Sequence, residues 1–211
     1  MTLARRPFPS RGGRGGRRLG PEPADVGLPP DRAREADADP EQVARSICLA
    51  QLEHAPRTRA ELAATLSDRG VADDVAEAVL ARFTEVGLID DATFARLWVG
   101  SRHRGRGLAG RALGQELRRK GVEDDVVREA VGTLDPDEEA ATARSLVERK
   151  LRTTHGLPAD ARVRRLAGML ARKGYAPGLA FRVVKQALAE EGDDVQLDHD
   201  ALEALDTPTG E

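Results

Sequence analysis

Apolar side chains recur every three or four positions through the middle of the chain, and the rhythm is broken by glycine, proline and paired aspartates. That period is helical. A first helix over about 41–54 places Val43, Ile47 and Ala50 on one face, and Pro56 closes it off. Thr58-Arg59-Ala60-Glu61 has the form of a capping box; it opens a second helix that turns Leu62 and Leu66 inward and ends at Gly70. A third starts near Asp73 and aligns Val75, Val79, Phe83 and Val86 before Gly87. Asp90 or Asp91 caps a fourth, which buries Phe94, Leu97 and Trp98. After the glycine stretch from Gly105 to Gly110, a fifth runs to Gly121, and a sixth carries Val126, Val127, Ala130 and Val131. Asp135-Pro136 opens a seventh with a cap and a first-turn proline. An eighth ends at Gly174, and a ninth runs from near Pro177 to near Glu190.

The nine predicted helices are three copies of one unit. Aligned on Gly70, Gly121 and Gly174, the chain carries Leu62, Leu113 and Leu166 eight residues earlier, and Leu66, Leu117 and Leu170 four earlier. Arg69, Lys120 and Lys173 stand just before the glycines, and Val71, Val122 and Tyr175 just after. Val75, Val126 and Leu179 follow at five. Stacked repeats bury a shared core. The expected fold is therefore all-α: three tandem three-helix repeats at 41–89, 90–134 and 135–190, forming an elongated, curved short solenoid. Residues 1–40, rich in Arg, Gly and Pro, and the acidic residues 191–211 read as disordered tails.

Composition agrees with helices. Aromatics are only 3% of the 211 residues, too few for a sheet-rich protein, and Ala, Leu, Arg and Glu abound. The single cysteine, Cys48, excludes an internal disulfide. No apolar run approaches the roughly 18 residues of a membrane span. The Arg-rich beginning lacks the apolar core of a secretory signal, so the expected location is the cytoplasm.

Charge changes the picture more. The net of −3 conceals segregation. Residues 1–20 hold six arginines and no acid, and residues 190–211 hold nine acids and no Lys or Arg. Residues 41–95 have a net of −5, and residues 96–173 a net of +7. On the shared template, Ala60 in the first unit becomes Arg111 and Arg164, and Asp68 becomes Arg119 and Arg172. Opposite the buried Leu113 and Leu117, helix geometry gathers Arg111, Gln115, Arg118 and Arg119. Arg102, Arg104 and Arg106 extend the patch, and Arg165 joins Arg172 in the third unit. Such a surface suits phosphates or an acidic protein groove. The basic residue before each glycine has a simpler reading, as a charge favoured at a helix C-terminus.

Catalytic readings fail on context. Gly105 to Gly110 spells the letters of a dinucleotide fingerprint but follows a helix rather than a strand. His54, His103, His155 and His199 lack metal-ligand spacing. Asp90-Asp91 and Asp124-Asp125 stand where helix caps belong. The chain is expected to be no enzyme and to need no cofactor.

Three segments resemble one known family. Gly87 to Ala95, GLIDDATFA, is similar to the linker between the first two units of RecX regulatory proteins. Gly105 to Val122 is similar to that family's second unit, and Arg164 to Tyr175 to its third. The resemblance covers roughly 41–190. It implies a small cytoplasmic regulator that binds the RecA–DNA filament, restrains strand exchange and ATP hydrolysis, and binds DNA itself. The implied partners are the RecA filament and single- and double-stranded DNA, without a membrane, the protein acting as a monomer. Two other readings stay open: a sequence-specific DNA-binding regulator using helix-turn-helix modules, and a helical scaffold with no nucleic acid contact.

Overall fold

A computed structural model describes residues 39–192. The expectations for residues 1–38 and 193–211 lie outside the described residues. Within them the chain forms nine α-helices and one 3-10 turn, with no strand. The helices are α1 (Pro40–His54), α2 (Arg59–Asp68), α3 (Asp73–Glu85), α4 (Asp91–Arg106), α5 (Gly110–Arg119), α6 (Asp124–Gly132), α7 (Pro136–Leu151), α8 (Ala159–Arg172) and α9 (Pro177–Glu190). No described helix is long and apolar enough to cross a membrane.

Local chemistry starts the helices where the sequence places them. Thr58 and Glu61 form the reciprocal capping box. Asp90 accepts from the Thr93 amide at 2.8 Å and heads α4. Asp135 does the same for Asp137 ahead of Pro136. Asp124 and Asp125 are an exception: Glu123 holds the cap position and both aspartates fall in the first turn of α6, where acids favour the dipole. At the margins, Asp39 caps a helix that already includes Pro40, and Glu191 takes part in the fold.

Four side chains expected inside are exposed. Val43 is displaced from the α1 core face by Ala44, Ile47 and Cys48, and Ala50 is exposed with it. Val86 lies past the last turn of α3 as its C-cap. Leu97, 65% exposed, lies on the far side of α4 from the arc of Phe94, Ala95, Val99 and His103.

The cores also differ from the expected shared interior. One cluster gathers Ala44, Leu62, Leu66, Phe83 and Ile89; a second gathers Phe94, Leu113, Leu117 and Val127; a third gathers Val147, Leu166, Leu170, Tyr175 and Val184. Each three-helix unit thus closes around its own leucines, though Ala109 of the second unit reaches into the third cluster, and polar joints link the units.

Both joints repeat one design. The second helix of a later unit ends against the start of the second helix of the unit before. Thr58, fully buried, donates its hydroxyl to the Lys120 carbonyl at 2.6 Å. In the next joint the Ala109 amide donates to the Lys173 carbonyl at 2.9 Å. Thr58 and Ala109 occupy the same position, twelve before the aligned glycine. The carbonyl end of one dipole therefore faces the amide end of another, and orphan groups at both termini find partners.

The lysines clamp each joint. The Lys120 ammonium donates to Glu61 at 2.6 Å and sits over the rings of Trp98 and Phe94, at 4.5 and 5.5 Å. Lys173 donates to the Arg106 carbonyl at 2.6 Å. Their role at a helix C-terminus is thus joined to one across the joint. The second joint adds the Tyr175 hydroxyl, which donates to the Gly107 carbonyl at 3.2 Å, and buried His103, with Nδ1 2.8 Å from the Leu108 carbonyl and Nε2 3.0 Å from the Thr142 hydroxyl. In the third unit the position of Thr58 and Ala109 is taken by Arg162, which is buried and ion-paired with Glu191.

Candidate functional site

Each unit sets its second and third helices side by side. In the second unit these are α5 and α6, and small residues decide how closely they approach. A Cβ at Gly110 would lie 3.0 Å from a Val131 methyl, and one at Gly114 would lie 3.5 Å from Val127. With glycine at both positions α6 comes near the α5 backbone, and a groove of about 570 Å³ runs along the contact. Val127 and Val131 contribute its apolar lining.

Cations line this groove. Arg111, Gln115 and Arg118 recur at spacings of four and three along α5, and Arg128 faces them from α6. Two acids temper the charge. Glu139 accepts from the Gly110 amide at 2.9 Å, and Asp124 pairs with Arg118 at 2.6 Å in an exposed bridge. Such a surface pair is weak, so the Arg118 guanidinium can exchange it for another anion at little cost.

The other units show what is particular to this groove. In the first unit the corresponding crevice, about 400 Å³, is lined by Ala63, Ala64, Ser67, Asp73, Ala76, Glu77 and Leu80. Position by position, Ser67 stands for Arg118, Ala64 for Gln115 and Glu77 for Arg128. In the third unit the last two arginine positions are Ala171 and Phe181, and Phe181 is buried. One template thus carries an acidic crevice in the first unit and a basic one in the second, while the third keeps one of the three arginine positions, Arg164.

The ten residues expected to bind do not form one surface. Arg111, Gln115 and Arg118 come together in the groove. Arg119 is exposed at the end of α5 but does not line it. Arg164, Arg165 and Arg172 are exposed on α8. Arg104 folds back over Gly100 on its own helix. Arg106 is exposed, and its carbonyl is engaged by Lys173. Arg102 has structural ties: its guanidinium lies 4.0 Å over the Trp98 ring and 3.6 Å from Glu116, which also accepts from the Trp98 indole at 2.9 Å. Phe94 stacks on Trp98 with ring centres 5.5 Å apart. Helix-face reasoning missed Arg128 because it treated each helix alone. The repeat alignment held the signal: seven residues after the glycine, Glu77 inverts to Arg128.

Comparison with known proteins covers the same region. Family models described as the first, second and third three-helix domains of RecX match residues 44–83, 90–131 and 137–184. The chain is 58% identical over 162 residues to "Regulatory protein RecX" of Streptomyces coelicolor, covering 77% of this chain and 86% of that protein. It is 54% identical over 176 residues to the Thermobifida fusca protein of that name, covering 79% and 95%. Among solved structures, a crystal structure of RecX from Lactobacillus salivarius superposes with a TM-score of 0.67 at 16% identity, covering 70% of this chain and 96% of that one. A second RecX crystal structure gives 0.65 at 23% identity, covering 76% and 79%. At those identities the likeness is one of fold.

Proposed function

The chain belongs to the RecX family of regulatory proteins, and on that premise we propose that it binds the RecA–DNA filament and acts mainly as an inhibitor of recombinase and ATPase activity. It works by binding, in the cytoplasm where RecA acts, and performs no chemistry of its own. The observation that carries this reading is the groove between α5 and α6, where Arg111, Arg118 and Arg128 with Gln115 replace the neutral and acidic residues of the first unit. Guanidiniums on an open groove suit anionic partners, whether phosphate oxygens or the carboxylates of a protein surface. Arg119, Arg164, Arg165 and Arg172 add exposed charge that attracts such a partner without shaping a cleft.

The sequence-specific alternative is less well supported. Recognition of bases uses a helix presenting amides and arginines to the major groove. The third helix of the second unit, α6, spends Val127 and Ala130 on the core and carries one cation, Arg128. The test is a strand-exchange reaction driven by RecA with the purified protein added. Slower product formation at substoichiometric protein is expected, and unchanged exchange at several-fold excess would remove the proposal.

A further inference from the structure

We propose that the groove between α5 and α6 docks an acidic polypeptide segment, and that its occupant in this protein is the chain's own residues 193–211. This rests on the reading of that groove as an anion-accepting surface. It adds a competitor built into the molecule.

Charge is the first argument. Residues 193–211 contain seven acids and no Lys or Arg. The groove presents Arg111, Arg118 and Arg128, with Glu139 tied to the Gly110 amide and Asp124 to Arg118. The corresponding crevice of the first unit, with Asp73 and Glu77, would repel such a segment, and the third unit keeps only Arg164 of the three arginine positions, with Ala171 and Phe181 at the other two. The second unit alone sets three arginines at these positions.

Apolar pattern is the second argument. Val195, Leu197, Leu202 and Leu205 are interspersed among those acids. The groove offers half-buried Val131 between its cations, above a floor formed by buried Val127 and the glycines at 110 and 114. A purely electrostatic surface would have no use for these leucines.

Reach is the third. Ala176, just before α9, lines the end of the groove. The 14 residues of α9 carry the chain away, roughly 21 Å at 1.5 Å per residue. At roughly 3.3 Å per extended residue about seven residues cross that distance, which leaves residues 200–211, with Leu202 and Leu205, to occupy the groove. Short flexible linkers that can span the sites give effective concentrations on the order of 1 mM. A segment whose free peptide binds with a Kd of about 0.1 mM would keep the groove closed about ten to one. Any other ligand of the groove would then bind the intact chain about tenfold more weakly.

The experiment uses a fluorescein-labelled peptide of residues 193–211 and reads anisotropy at low salt. The first titrant is the full chain with the seven carboxylates of 193–211 converted to amides (Asp→Asn, Glu→Gln). The second is the unaltered chain. The third combines the amide changes with Arg111→Ser, Arg118→Ser and Arg128→Ser, its fold checked by circular dichroism. The peptide should bind the first, bind the second about tenfold more weakly because the native segment competes, and bind the third at least tenfold more weakly than the first. Equal affinity for the first two would overturn self-occupancy. Undiminished binding to a folded third protein would place the site elsewhere, with the six arginines of residues 1–20 as the alternative, and overturn the proposal, as would no binding to the first. The assay contains neither RecA nor DNA, so its failure is separable from failure of the filament reading.

Discussion

The Thr58 hydroxyl donates to the carbonyl of Lys120, a residue 62 positions away that ends the second helix of the next unit. One hydrogen bond thus links the start of α2 to the end of α5. Thr58 also caps its own helix, so its oxygen serves both units at once. The joint between α5 and α8 reproduces the arrangement with a backbone amide, that of Ala109. Polar termini, with close packing of small residues such as Ala60 against Gly121, connect the three units.

The aligned glycines test the joints directly. All three have positive φ, which costs an alanine about 1 kcal/mol. A Cβ at Gly70 meets open space, but at Gly121 it would lie 2.3 Å from the Ala60 Cβ, and at Gly174 2.3 Å from the Ala112 backbone nitrogen. Gly70→Ala should therefore cost about 1 kcal/mol, and each of the other two about 1–3 kcal/mol more. In melts of a chain this size each kcal/mol lowers Tm by about 2–4 °C. Equal losses at all three positions would show that the joints are not close-packed.

Tyr175 provides a spectroscopic check of the second joint, because it is the chain's only tyrosine. Burial first, and the nearby Glu139 second, push its phenol up to about 12. An unfolded tyrosine titrates at about 10. The raised folded value means that this group's contribution to stability is complete below pH about 10 and is lost as pH rises through about 12. Phenolate absorbance of the folded protein should appear near pH 12, or abruptly with unfolding. A smooth midpoint near 10 in a folded sample would mean that Tyr175 is not enclosed.

Arg102 and Arg111 should separate structure from binding. Arg102→Ala removes the cation over Trp98 and should cost about 1 kcal/mol of stability, with a shift in the fluorescence of the only tryptophan. Arg111→Ala, on an exposed groove wall, should change stability by about 0.5 kcal/mol or less. The opposite ranking in melts would exchange their roles.

These contrasts mark what could be read in the sequence. Helix caps such as Thr58 and Asp90 are local, and the residues that make them stand within three positions of each other. The repeat followed from Leu62, Leu113 and Leu166 because each is the centre of its own unit's core. Leu97 was misjudged because periodicity alone does not say which apolar arc faces inward. The Thr58–Lys120 bond was beyond reach, since nothing in a sequence pairs residues that far apart. Gln115 and Arg118 were found from one helix face, whereas Arg128 required knowing which two helices lie together.

Salt dependence measures how many groove cations meet phosphate. Arg111→Ala, Arg118→Ala and Arg128→Ala together should lower the log–log salt slope of single-stranded DNA binding by about 2, at roughly 0.7 per lost contact. Arg45→Ala, Arg69→Ala and Arg82→Ala in the first unit, all exposed, serve as the matched control and should change it little. Equal changes in the two folded triples would argue against the second-unit groove as the DNA contact.

The most direct test of the central claim is the rate of ATP hydrolysis by RecA on single-stranded DNA, with this protein or its Arg111→Ala, Arg118→Ala, Arg128→Ala variant added. The unaltered protein should slow hydrolysis at substoichiometric amounts, and the variant, with the same melting temperature within a few degrees, should require at least tenfold more protein for the same effect. Hydrolysis unaffected by a several-fold excess of the unaltered protein, or slowed equally by both proteins, would contradict the assignment of RecA regulation to this groove.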